Sequence, residues 1–162
     1  MGGQSMSISE NPDNVNVMLI GNNPAEVSGY LSKLSNFKGV RFITTCCFNL
    51  RKSFMEIRNW KPHYIVIDDY FPRNQIRKFI RRIRRNVNTQ EIPVAILKSS
   101  NRSILIKGVQ DYLLKDSFTP ERLYHAIRNS RNIRKAQVIL YMTYKRSKRN
   151  FRKIRQFISD IF

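Results

Sequence analysis

The chain has 162 residues, of which 41% are hydrophobic, and it carries a formal net charge of +19. This length fits one domain, and the hydrophobic fraction is sufficient for a folded core, which excludes a wholly disordered chain. So large a positive charge predicts attraction to an anionic partner, but it does not choose among nucleic acid, an acidic protein and an acidic membrane surface.

The sequence has no apolar run long enough to span a bilayer, and its start lacks the pattern of a signal peptide. Its two cysteines, Cys46 and Cys47, are adjacent, so we expect two reduced thiols and no disulfide. Neither the cysteines nor His63 and His125 show metal-ligand spacing, and we expect no metal site among them. Together these features predict a cytoplasmic protein.

Strands and helices are predicted to alternate along the chain. Residues 1–14 are polar and are expected to be disordered. Pro24 and Pro120 each suit the first turn of a helix, and Lys61-Pro62 ends another. The predicted elements, in chain order, are a strand at 15–20, a helix at 24–34, a strand at 40–44, a helix at 50–60, a strand at 64–67, a helix at 74–87, a strand at 92–97, a strand around 112–114 and a helix from 120 onward.

This alternation, with short connections, predicts an α/β fold with a parallel sheet. The apolar run Tyr64 to Ile67 suits a strand that is buried on both faces, and it ends in two carboxylates, Asp68 and Asp69. Because ligands of such sheets bind outside the carboxyl ends of the strands, Asp68 is predicted to lie at a ligand crevice.

Several spaced motifs give the chain a family resemblance over residues 15–132. Asp68 lies four residues before Pro72 in IVIDDYFP, the stretch FIRRIRRNVNTQEIPVAIL runs from the third predicted helix through the fourth predicted strand, and GVQDYLLKD occupies residues 108–116. In these motifs the chain resembles the receiver domain of two-component response regulators. The resemblance implies a flavodoxin-like (βα)5 fold with the sheet order 2-1-3-4-5. It places the phosphoacceptor at Asp68, the phosphate-binding lysine at Lys115 and the aromatic switch residue at Tyr112.

The resemblance also implies a function in bacterial signal transduction. A receiver in a phosphorelay takes a phosphoryl group onto its Asp, with Mg²⁺ neutralising charge, and its partner is a histidine kinase or another signalling protein. We expect no enzymatic activity other than self-phosphorylation, and Mg²⁺ is expected as a cofactor only if phosphorylation is retained.

The sequence departs from the family pattern where Mg²⁺ would bind. Gly21, Asn22 and Asn23 occupy the positions of the acidic cluster, so the cluster is degenerate and metal binding should be weak or absent. The Ser/Thr switch position is Lys98, or Ser99 if the alignment shifts by one residue. Lys98 would either pair with Asp68 beside Lys115 or extend into solvent.

A further departure is the length of the segment between Lys98 and Gly108. It is too short for two loops and a full helix, so the fourth helix of the family is predicted to be shortened or missing. The predicted chain therefore comprises a disordered segment at 1–14, a receiver-like domain at 15–132 and a basic amphipathic helical extension at 133–162.

Two basic surfaces are predicted. One is the solvent face of the helix at 74–87, where acidic partners at i,i+4 are missing; it includes Arg77, Arg81, Arg84 and Arg85. The other is the extension, where Phe151, Ile154, Ile158 and Ile161 form an apolar stripe. The cations of the extension that surround this stripe include Lys145, Arg149, Arg152 and Lys153.

The extension is expected first to form a homodimer or to fold back on the domain, second to bind nucleic acid and last to bind a membrane. Three functions remain open at this point. The first is a pseudo-receiver that acts through protein–protein interaction with weak or no phosphorylation, the second is a receiver phosphorylated on Asp68, and the third is a charge-driven nucleic-acid-binding protein on a receiver scaffold.

Overall fold

A five-stranded parallel sheet, with helices on its two faces, forms the domain. The structure is a computed structural model and describes residues 14–99 and 105–159. The sheet order is β2-β1-β3-β4-β5, which confirms the predicted α/β flavodoxin-like fold. The elements in chain order are β1 (Val15–Ile20), α1 (Pro24–Ser35), β2 (Phe42–Cys47), α2 (Leu50–Trp60), β3 (Tyr64–Asp68), α3 (Arg73–Arg85), β4 (Val94–Lys98), β5 (Asp111–Leu114), a short 3₁₀ turn (Lys115–Ser117) and α4 (Pro120–Ser159).

The central strands are covered on both faces, as their apolar sequences predicted. All five residues of β3 and all five of β4 are buried. One face of the sheet packs on α2 and α3 through a core cluster that includes Ile67, Ile96 and Ile80. On the other face, Val66 and Leu97 lie near Val27 of α1. This arrangement makes β3 the most enclosed strand and fixes the position of its last residue, Asp68.

Three predicted elements have different ends in the structure. β2 begins two residues later than predicted and extends through Cys46 and Cys47, because these residues pair in register with the last two residues of β1. Both cysteines are half-buried free thiols. β4 begins after Pro93, and α3 ends at Arg85, so Val87 is outside the helix and 80% exposed.

Residues 105–110, between β4 and β5, form no helix, and residues 100–104 lie outside the described part of the chain, as do most of the segment 1–14 and Ile161. The prediction of a shortened or missing helix therefore rests on residues that are only partly described. Gly108 lies in this connection with a φ of 93°, a conformation that favours glycine.

The last helix is continuous, as predicted, and has 40 residues. The chain divides into two compact units, one ending at Ala126 and one beginning at Ile127. The first contains the sheet and the second is helical throughout its described length, to Ser159. Within residues 14–99 and 105–159, no helix has both the length and the apolar character that a bilayer crossing requires.

Candidate functional site

Asp68 ends the central strand and is held by two contacts. Its Oδ1 accepts a hydrogen bond from the backbone N–H of Tyr70 at 2.9 Å, and its Oδ2 lies 2.9 Å from Nζ of Lys115. The carboxylate is buried, with 5% of its side chain exposed. Both oxygens of the predicted acceptor are therefore engaged within the chain.

Lys115 follows β5 directly and bridges two carboxylates. Besides Asp68, its ammonium group contacts Oε2 of Glu26, in the first turn of α1, at 3.0 Å. Burial lowers the pKa of Lys115, but the hydrogen bonds to Asp68 and Glu26 more than offset this effect, so the pKa is raised above the ordinary value. The ammonium form is thus stabilised by two anions that lie on different elements.

Glu26 is the functional candidate that sequence reasoning missed. It lies three residues after Asn23, which caps α1 by accepting a hydrogen bond from the Ala25 N–H at 3.1 Å. This spacing of a capping residue and Glu is a local signal for the start of a helix. No local signal could place Glu26 next to a lysine that is 89 residues away.

Two of the three residues at the degenerate acidic cluster, Gly21 and Asn23, have structural explanations. A Cβ atom on Gly21 would lie 2.8 Å from Cγ2 of Val27, so a side chain there would force Val27 or the backbone at position 21 to shift. Asn23 is the helix cap, and Asn22 lines an open cleft of about 280 Å³ together with Glu26, Asp68 and Lys115. The amides of this cleft bring no charge.

This cleft does not fit Mg²⁺ in the arrangement described. Its two carboxylates, Glu26 and Asp68, both pair with Lys115. No group of three His, Cys, Asp or Glu residues that could hold a metal ion occurs within residues 14–99 and 105–159. A hard cation would have to displace the ammonium group before the carboxylates could ligate it.

Lys98 occupies neither of the two positions expected from the sequence. Asp68 pairs in register with Leu97, so Lys98, the next residue, points to the opposite face of the sheet. There it is only 8% exposed, and its Nζ lies 5.6 Å from the centre of the Tyr112 ring. Both alternatives, pairing with Asp68 and extension into solvent, are therefore wrong, because strand alternation directs the side chain towards an aromatic ring.

The other two switch candidates, Ser99 and Tyr112, form hydrogen bonds with residues other than Asp68. The hydroxyl of Ser99 donates to Oδ1 of Asp69 at 2.9 Å, and its backbone N–H donates to Oδ2 of the same residue at 2.9 Å. The hydroxyl of Tyr112 accepts from the N–H of Ile106 at 2.7 Å. Thus Asp69 joins the ends of β3 and β4, away from the cleft that contains Asp68.

On α3, the predicted basic surface divides into exposed cations and one internal arginine. Arg77, Arg81 and Arg85 are exposed. Arg84, in contrast, is half-buried and donates to the carbonyls of Gly108 (2.7 and 3.1 Å), Gln90 (2.6 Å) and Ile92 (2.7 Å), and to Oε1 of Gln110 (2.8 Å).

The prediction that Arg84 belongs to the solvent-facing cations of α3 is therefore wrong. Its hydrogen bonds join α3 to the connections before and after β4. Burial of the guanidinium lowers the pKa of Arg84.

The second compact unit carries the other basic surface. Its large apolar side chains are exposed, among them Phe151 (73%), Ile154 (56%) and Ile158 (51%), which agrees with the predicted stripe. The four cations predicted to surround the stripe are also exposed; they are Lys145, Arg149, Arg152 and Lys153.

The geometry of the first unit matches solved receiver domains. A response regulator from Desulfuromonas acetoxidans aligns over 74% of this chain and 98% of its own at 21% identity, with a TM-score of 0.59. The phosphorylated cyanobacterial phytochrome response regulator RcpA aligns over 74% of this chain and 91% of its own at 17% identity, with a TM-score of 0.53. The Mn²⁺-bound form of the response regulator Rcp1 gives the same coverages and TM-score at 16% identity.

At these identities the likeness shows the fold, and it confirms the predicted receiver architecture. No protein-family model and no curated protein matches the sequence.

Proposed function

We propose that this chain, on its receiver fold, is an atypical receiver of bacterial signal transduction. It acts by binding a signalling protein in the cytoplasm and undergoes little or no Mg²⁺-dependent phosphorylation. The observation that carries this proposal is the ion pair of Lys115 with both Asp68 and Glu26. An ammonium group shared by two carboxylates gives Asp68 a cationic partner without a phosphoryl group, and the site keeps a net negative charge that disfavours an incoming phosphate.

Phosphoryl transfer to Asp68 would require positive charge around the incoming group. Oδ2 faces Lys115 and Oδ1 accepts from Tyr70, and both contacts withdraw charge from the carboxylate that would attack. Lys115 is itself shared with Glu26, which reduces the charge that it offers a phosphoryl group. The ion pairs therefore favour an Asp68 that stays unphosphorylated.

The position of Lys98 also supports the proposal. In the family, a Ser/Thr hydroxyl at this position binds the phosphoryl group and starts the conformational switch. Here the side chain at that position lies over Tyr112 on the opposite face of the sheet from Asp68, and the Ser99 hydroxyl is bound to Asp69. Neither group contacts Asp68, so the switch has no evident trigger at this site.

Incubation with Mg²⁺ and acetyl phosphate, followed by intact-mass measurement, tests the proposal. We expect no phosphoryl adduct on the wild-type chain. An adduct that forms on the wild type and is lost in Asp68→Asn would contradict the proposal and would favour a conventional receiver, for which the open cleft beside Asp68 leaves space.

A gain-of-function variant tests the cause. Asn22→Asp/Asn23→Asp restores two carboxylates, and Asp at position 23 can still cap α1. We expect this variant to gain an Asp68-dependent adduct, because the added carboxylates supply the charge that Mg²⁺ requires. The matched control is Asn22→Ser/Asn23→Ser, which keeps a capping side chain and adds no charge.

We further propose that the second compact unit is used for self-association. It exposes the apolar side chains of Phe151, Ile154 and Ile158, which a partner helix would bury. Between Ile133 and Ser159 it has Lys and Arg but no Asp or Glu, so copies repel each other and added salt should strengthen association. Light scattering of a chain truncated after Lys135 should show a monomer, and an unchanged oligomeric state relative to the full chain would contradict this proposal.

A further inference from the structure

A second cleft lies between α2 and α3, apart from the site around Asp68. It has two adjoining parts, of about 620 and 400 Å³, which share Lys78 and Arg82. The larger part is also lined by Arg51 and Phe48, and the smaller part by Arg81 and Arg85. We call this the α2–α3 cleft.

The walls of the α2–α3 cleft carry positive charge without compensation. None of the residues that line either part is Asp or Glu. The whole of α3, from Arg73 to Arg85, has no acidic residue, and no side chain caps its N-terminal end. Like charges on one helix face destabilise it, so the arrangement suits a ligand that brings negative charge from outside.

The cations are arranged along a line. Arg81 and Arg85, which line the smaller part, follow Arg77, which lies outside both parts, at i,i+4 spacing. This spacing corresponds to a rise of about 6 Å per step on a helix about 20 Å long. A row of regularly spaced guanidinium groups matches a polymer with regularly repeated anions, and arginine binds phosphate through two parallel hydrogen bonds.

Aromatic rings distinguish the cleft from a merely charged surface. Phe48, directly after β2, lines the larger part and is 45% exposed. Phe71, in the β3–α3 connection, lines the same part. In the smaller part, the guanidinium carbon of Arg82 lies 3.9 Å from the centre of the Phe54 ring, which holds this cation at the cleft wall.

We propose that the α2–α3 cleft binds single-stranded nucleic acid, with phosphates on the α3 cations and a base stacked on Phe48. An exposed ring beside a basic groove is the combination that single-strand-binding proteins use, since every base offers a face for stacking. A duplex hides its base faces and would leave Phe48 without a function, and an acidic peptide would use the cations but not the ring.

The test measures fluorescence anisotropy of an oligothymidylate of about 15 nucleotides, a length within the usual range of single-strand sites. We expect saturable binding at low salt, with an affinity that falls steeply as salt increases. Lys78→Ala/Arg81→Ala should raise the Kd about tenfold and reduce the log–log salt slope by about 0.7 for each phosphate that the variant no longer neutralises. Circular dichroism checks that the variant is folded.

Phe48→Ala separates stacking from charge. It should raise the Kd about tenfold while the salt slope stays the same, and Phe48→Trp should retain binding, because stacking needs a ring and not a particular one. The charge-matched control, Lys33→Ala/Arg41→Ala, removes one Lys and one Arg that are exposed and lie outside the cleft. It should leave the Kd within about twofold of the wild type.

Four outcomes would overturn the proposal. The first is no saturable binding at low salt. The second is an equal loss of affinity in the cleft variant and its control, which would mean that only net charge matters. The third is a duplex that binds at least as tightly, with no effect of Phe48→Ala. The fourth is displacement of the oligonucleotide by polyglutamate at equal charge, which would assign the cleft to an acidic protein.

Discussion

The end of the sheet at Asp68 and the outer face of α3 differ in whether their cations have acidic partners inside the chain. At Asp68, one ammonium group lies within 3.0 Å of two carboxylates, and the three groups come from three separate elements. On α3, exposed cations that include Lys78, Arg81 and Arg85 line a cleft with no acidic side chain. The cation is thus paired inside the chain at the position where a receiver would accept phosphate, whereas the exposed cations of the helix that follows are left for a partner.

Arg84 sharpens the contrast within α3 itself. It differs from Arg81 and Arg85 in having all its described hydrogen bonds inside the domain, to three carbonyls and one amide oxygen. Whether a cation of α3 has a structural role or is available to a ligand therefore depends on the hydrogen-bond acceptors that the neighbouring loops place within its reach. Sequence composition alone does not distinguish the two.

The largest effect is expected from removing the ammonium group at the Asp68 end. Lys115→Met leaves Asp68, whose side chain is 5% exposed, without its cation. Breaking such a pair strands a buried charge, and we expect a loss of about 3 kcal/mol in the free energy of unfolding, measured by urea denaturation.

Two matched variants control this experiment. Glu26→Gln removes the more exposed partner, at 43% exposure, and should cost less than about 1 kcal/mol. Asp68→Asn/Lys115→Met removes both charges and should recover most of the stability. If Lys115→Met costs no more than Glu26→Gln, the pair with Asp68 does not hold the site together.

The next effect tests the division within α3. Arg84→Ala removes the donor to the carbonyls of Gly108, Gln90 and Ile92, and we expect a loss of about 2 kcal/mol in the free energy of unfolding. Arg81→Ala should change stability by less than about 0.5 kcal/mol, because the exposed guanidinium lies on the cleft wall. Similar losses in the two variants would remove the distinction between them.

Local patterns predicted the fold because the sheet depends on short-range regularities. The apolar run before Asp68 and the prolines at positions 24 and 120 placed a buried strand and two helix starts. The apolar run also placed Asp68 at the carboxyl end of a parallel strand, the family resemblance placed Lys115 in the same site, and the structure brings the two together. Where a motif lies at a strand end, its neighbours in space can be anticipated from topology.

The rest of the site could not be predicted, because it depends on side-chain direction and on distant partners. The direction of Lys98 follows from the register of β4 on β3, which places it opposite Asp68, and one residue of uncertainty in a strand reverses the face. The pairing of Glu26 with Lys115 spans 89 residues. The sequence does not distinguish Arg84 from the other cations of α3, and its hydrogen bonds to the loops around Gly108 appear only in the structure.

A smaller effect is expected from crowding near the Asp68 end. In Gly21→Ala the new Cβ would lie 2.8 Å from Cγ2 of Val27, a distance that requires Val27 or the backbone at position 21 to shift. We expect a loss of about 1 kcal/mol in the free energy of unfolding. Adding Val27→Ala should relieve the clash, so Gly21→Ala should cost less in that background; an equal cost in both would mean that Val27 is not the obstacle.

The smallest effect is a dependence of stability on pH, which separates the contribution of the Lys115 charge from that of its packing. The pKa of Lys115 is raised in the folded chain, so its charge contributes stability that is fully present below the unfolded pKa of about 10.4 and is lost as pH rises through the higher folded value. The stability difference between the wild type and Lys115→Met should therefore be constant from neutral pH to about pH 10 and then shrink. Because the charge of Lys115 acts on the pKa of Tyr30, both proteins carry Tyr30→Phe. Urea midpoints at each pH then measure the difference, and subtraction removes the remaining tyrosine titrations. A difference that stays constant through the lysine range would show that the methylene stem of Lys115, and not its charge, stabilises the end of the sheet.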